Sequence, residues 1–166
     1  MPLIATPSAA NANSYATVAR AKVLLNERLD AVDWIAAPEV EQEQSLIWAT
    51  QLLEEKTTWQ GAPTTTTQAL WWPVSDAYDL HDMLLSSMAI PVFLERATAV
   101  YGLALWQYSK HARDERVTRM EIGPVNLDFA PGNAAPQDAM PAEVRRMLVP
   151  YGVVIGAGGM LPVLRV

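Results

Sequence analysis

The chain has 166 residues, 51% of them hydrophobic and 18% charged, which is enough for one domain with a real core. Twelve basic residues against eighteen acidic ones give a formal charge of −6, a poor balance for tight binding to nucleic-acid phosphates. The lack of cysteine excludes disulfides, thiol nucleophiles and thiolate metal sites, and no apolar run reaches the roughly 18 residues of a membrane span.

The opening MPLIATPSAANANSY has neither the charged start nor the long apolar run of a signal peptide, so a protein made in the cytoplasm is expected. Residues 1–12 read as an extended arm. Asn13 or Ser14 is the expected helix cap, and Tyr15, Val18, Ala19, Val23 and Leu24 then follow at helical spacing, predicting a helix over 14–29. Residues 30–37, with Trp34 and Ile35, read as a linker. Pro38 suits a first helical turn, Glu39, Glu41 and Glu43 suit its dipole, and Leu46, Ala49, Leu52 and Leu53 form one face of a second helix over 38–59.

Gln60-Gly61-Ala62-Pro63 ends that helix, and Thr64–Thr67 reads as an exposed loop. Two adjacent tryptophans, Trp71 and Trp72, cannot share one face of a regular element, and 74–87 reads as irregular chain with room for a short hairpin. Pro91 opens the strongest helix, apolar around nearly its whole circumference to about Ala112, which predicts a central position. The pattern then turns to period two, with Val117, Met120 and Ile122 before Gly123-Pro124 and Val125, Leu127 and Phe129 after it, predicting a hairpin over 116–130. A short helix is expected over 142–149 with Arg145 and Arg146 outside. Residues 153–166, rich in glycine among apolar residues, read as a tail that needs a partner. The expected fold is mainly α: a single domain, 1–166, with a bundle of three to four helices, a long central helix, a β-hairpin and extended terminal segments.

No catalytic set is evident, so no enzyme activity, cofactor or metal is expected. Asp76, Asp79, His81 and Asp82 form a local polar cluster that reads as a solvated loop, without the spacing of a metal motif. The GAGG of the tail lacks the strand, the helix and the lysine of a phosphate cradle. The basic run Lys110, Arg113, Arg116 and Arg119 has two readings: contact with DNA phosphates or an acidic partner, or cations at a helix end and along a solvated strand. Trp48, Trp59 and Trp106 fall in apolar helices and read as core, while Trp71 and Trp72 are open to base stacking.

Five landmarks occur in order: Asn11-Ala12-Asn13-Ser14-Tyr15 before Val18-Ala19; Trp59-Gln60-Gly61 before Gln68-Ala69-Leu70-Trp71-Trp72-Pro73; Ile90-Pro91; Ile122-Gly123-Pro124-Val125; and Leu148-Val149-Pro150-Tyr151. In this series the chain resembles a family of short phage and prophage proteins commonly described as DnaT-like single-stranded DNA-binding proteins, whose members look like head–tail connectors. The pattern departs at Val74, where the family often has arginine, and in the second tryptophan, Trp72.

The resemblance implies a virion structural protein: a head–tail connector, or head-completion adaptor, of the phage neck. It implies a ring, commonly of twelve copies, docked below the portal protein and meeting a neck or tail-completion protein. The ring would form a DNA channel for genome ejection, whose acidic lumen lets double-stranded DNA slide without specific binding. On that reading the assembly contacts are Arg119, Glu121, Asn126, Asp128, Val153, Met160, Leu161 and Leu164, with Lys110, Arg113 and Arg116 meeting DNA or a partner. The alternative is a single-stranded DNA-binding protein using Lys110, Arg113, Arg116 and Arg119 with Trp71 and Trp72.

Overall fold

The computed structural model describes residues 2–114 and 140–155, with side chains through residue 110 and from residue 140. The expected hairpin over 116–130, and with it Arg116, Arg119, Glu121, Asn126 and Asp128, lies outside the described residues, as do Met160, Leu161 and Leu164. The fold is mainly α, with small antiparallel strand pairs. Among the described residues no helix is long and apolar enough to cross a membrane.

The long helix α4 (Val92–Asp114) is central, as its all-round apolar pattern predicts: Leu94, Ala97, Ala99, Val100, Tyr101, Leu103, Leu105 and Trp106 are all buried. Its main neighbour is α3 (Glu39–Lys56). The two backbones come close at Gly102, where a Cβ would sit 3.1 Å from the Leu46 side chain. Helices α1 (Val18–Leu25) and α5 (Ala142–Leu148) pack on α4 as well. Ion pairs pin these flanks, Arg20 to Glu95 at 2.8 Å and Arg28 to Glu143 at 2.9 Å.

The N-terminal expectation needs correction. Helix α1 starts at Val18, and its cap is Thr17, whose hydroxyl accepts the Arg20 N–H at 3.1 Å. Asn13 is engaged elsewhere: its Oδ1 accepts from Ile4 N at 2.7 Å and its Nδ2 donates to the Pro2 carbonyl, folding the arm back on the chain. Tyr15 and Ala16, expected inside the helix, are buried just ahead of it.

The expected linker 30–37 is in fact a 3-10 turn (Leu29–Ala31) running into a short helix, α2 (Val32–Ala36). It carries the fully buried Trp34, whose Nε1 donates to Ser45 at 3.0 Å. Gln42 of α3 closes α2 by donating to the carbonyls of Trp34, which also accepts the Ala37 N–H at 3.1 Å, and Ile35.

The second helix stops at Lys56, and residues 57–59 leave it as a strand. This β1 (Thr57–Trp59) pairs antiparallel with β4 (Gly152–Val154), in the register Thr57 to Val154 and Trp59 to Gly152. The tail expected from Val153 therefore begins as a strand of the domain, with Val153 exposed on it. A second pair, β2 (Ala62–Pro63) with β3 (Val74–Ser75), brackets the exposed threonine loop.

Gly152 is where the two chains come closest. A Cβ there would lie 2.8 Å from the Thr58 carbonyl oxygen and 2.9 Å from the Thr57 methyl group. The Gly152→Ala variant is accordingly expected to lose about 1–3 kcal/mol by forcing the strands apart, which urea unfolding would measure. An unchanged midpoint would contradict this register.

Candidate nucleic-acid interface

Three of the five sequence landmarks, with the phenylalanine that follows a fourth, meet at Trp72. Trp72 is 2% exposed, and it packs edge-on against Trp59 at 6.0 Å, Phe93 at 5.6 Å and Tyr151 at 6.5 Å between centroids. Its backbone N–H donates to the Tyr15 hydroxyl at 3.3 Å. That hydroxyl in turn donates to Glu54, which also accepts from Trp59 Nε1 at 2.9 Å and from the Trp71 N–H at 3.0 Å. Burial, followed by the Glu54 charge, raises the Tyr15 phenol well above its ordinary value. The N-terminal tyrosine, the WWP segment and the end of α3 are thus fastened at one carboxylate.

On the outer side of this cluster Phe93 and Tyr151 stack face to face, 3.7 Å apart and 7° from parallel. Pro91 starts α4 and so places Phe93 in its first turn, while α5 ends just before Pro150-Tyr151. Both rings are partly buried, and they line a groove of about 360 Å³ with Leu80, Arg96, Met147 and Arg146. Arg96 and Arg146 are exposed and join none of the ion pairs found among the described residues.

Tyr151 also borders a second depression on the side of Asp79. Burial and then the Asp79 charge push the Tyr151 phenol up. The Asp79 carboxylate accepts the backbone N–H groups of Met83 and His81 at 2.9 and 2.8 Å, and these hold it below the usual carboxylate range. It is thereby committed to its own turn. An anion would meet the arginine side of the stacked pair, because the other side carries a carboxylate.

The residues singled out from the sequence are placed differently. Lys110 lies over the Trp106 ring, 4.5 Å from its centroid, and Trp106 Nε1 donates to Glu41 at 2.8 Å. That cation is matched by an aromatic face with a carboxylate close by, on a part of α4 away from Phe93. Arg113 belongs to the last turn of α4, and its side chain lies outside the description. Trp72 is core and has no free face for a base, and Trp71 is exposed at 38%. Phe93, Tyr151, Arg96 and Arg146 were not assembled from sequence. The available signal was that Ile90-Pro91 and Leu148-Val149-Pro150-Tyr151 both flank a ring at a helix end.

The fold and this surface define a small, mainly helical protein presenting a stacked aromatic pair beside two guanidinium groups that join no ion pair among the described residues. The chain belongs to the family described as "Putative DnaT-like ssDNA binding protein", whose model matches residues 1–166. No curated protein and no solved structure gives a match. The family match corrects the head–tail connector expectation. The matched description is of single-stranded DNA binding, the alternative weighed from sequence, and it carries nothing of a virion, a portal or a connector ring.

Proposed function

We propose that the protein binds single-stranded DNA, as a non-enzymatic binding module, along the groove between α4 and α5. The observation that carries this reading is the Phe93–Tyr151 stack with Arg96 and Arg146 beside it. Unpaired bases gain from stacking on aromatic rings whatever their identity, and guanidinium groups meet the phosphates between them. The family description supports the same reading.

The formal charge of −6 shapes the binding. The rest of the surface repels a polyanion, so affinity depends on a few local cations and should be weak at high salt. Two phosphate contacts predict a slope of log K against log salt of about −1.4 for a single strand.

Fluorescence anisotropy with a labelled oligonucleotide across a salt series tests this. The Arg96→Glu, Arg146→Glu double variant is expected to lose most of the affinity and to flatten the slope by about 0.7 per residue. Both side chains are exposed, so its circular dichroism and melting should match the wild type within about 0.5 kcal/mol. Unchanged binding by the folded double variant would exclude this groove, and absence of binding by the wild type at low salt would exclude the function.

A further inference from the structure

A third depression shares the Tyr151 ring and differs in character from the groove. It is a pocket of about 230 Å³ lined by Gln60, Gly61, Trp72, Asp76, Ala77, Tyr78 and Tyr151. Trp72 Nε1 is buried and has no hydrogen-bond partner among the described residues, although unpaired buried donors are rare and costly. The Gln60 backbone is anchored to the Tyr151 carbonyl at 3.0 Å, and its side chain is exposed. Asp76 is held at φ 56 on the pocket rim, with its side chain exposed.

We infer that this pocket takes one splayed base of the single strand, and that it favours a base carrying an exocyclic amine, cytosine over thymine. The inference rests on the proposed DNA binding and adds a preference to it. Tyr78 is exposed and supplies a ring against which a base can stack, while one face of Tyr151 is taken by Phe93. Trp72 forms the inner wall of the pocket, and its indole N–H lies below the surface. The Asp76 carboxylate accepts and cannot donate, so it suits the N4 amine of cytosine and opposes the O4 of thymine. The pocket and the groove meet at Tyr151, so a strand with its phosphates on Arg96 and Arg146 can turn one base inward.

The test compares labelled oligo(dC) and oligo(dT) of equal length on the full chain. Wild-type protein is expected to bind oligo(dC) about tenfold more tightly, the discrimination of one good base contact. Asp76→Asn tolerates the same positive φ and is expected to lower oligo(dC) affinity and bring the ratio near one. Asp82→Asn, at a like φ of 58 in the same loop but outside the pocket, should keep the wild-type ratio. Binding that is salt-dependent and lost with Arg96→Glu and Arg146→Glu, yet equal for the two oligonucleotides, would overturn the pocket and leave the groove standing. A preference that survives Asp76→Asn would also overturn it. No binding of either oligonucleotide would overturn both readings.

Discussion

Trp72→Ala is expected to lower the unfolding free energy by about 3–5 kcal/mol, the cost of deleting a large ring from a packed interior. The size follows from what the ring separates. It fills the space between Trp59 on β1, Phe93 on α4 and Tyr151 after α5, so its loss leaves a void bordered by three elements. Trp72→Phe should recover part of the loss. Trp71→Ala, at the adjacent and partly exposed position, should cost far less, because its link to Glu54 runs through the backbone N–H that alanine keeps. Chemical denaturation of the three variants measures the contrast. Equal losses at 71 and 72 would contradict the burial described here.

The neighbouring tryptophans show what the sequence could and could not reveal. Their adjacency requires different environments, but which one enters the core depends on rings supplied by α4 and by residue 151. No local pattern carries that information. The same holds for Trp59, read as helical: its strand partner, Gly152, lies far along the chain. Helices α4 and α5 were legible because a long apolar pattern, or a proline at the start, marks them locally. Helix α2 was not legible, since five residues give no periodicity and its end is closed by Gln42 of another helix. The cap at Asn13 failed because that side chain binds the folded-back arm instead, leaving Thr17 to start α1.

The groove was hidden for a related reason. Its rings come from the first turn of one helix and the residue after another, and its arginines are spaced across both. The basic run drew attention through density of charge. Its one member with a described side chain, Lys110, faces an indole. The proposed interface rests instead on two guanidiniums brought together by tertiary packing.

Glu54→Ala is the second large effect, and it joins stability to pH. The carboxylate accepts from the Tyr15 hydroxyl, Trp59 Nε1 and the Trp71 N–H. Removing it strands three donors, for an expected loss of about 2–3 kcal/mol at neutral pH, moderated because Glu54 is half-buried and water can reach part of the gap. The alkaline limb should change as well. The Tyr15 phenol is raised above its ordinary 10.0 by burial first and by the Glu54 charge second. The folded state therefore keeps a proton that the unfolded chain releases. The stabilising difference is complete below about pH 10 and is lost as pH climbs from there through the folded pKa. Tyr15→Phe cannot ionise, so its urea midpoint should fall less than the wild type's between about pH 8 and about pH 11. Glu54→Ala should lie between them, since burial still raises the phenol while the charge no longer does. Parallel midpoints for wild type and Tyr15→Phe across that range would show that Tyr15 ionises as freely in the fold as in the unfolded chain. The fastening of the N-terminal tyrosine to the WWP segment would then have to rest on packing against Trp72 rather than on the carboxylate.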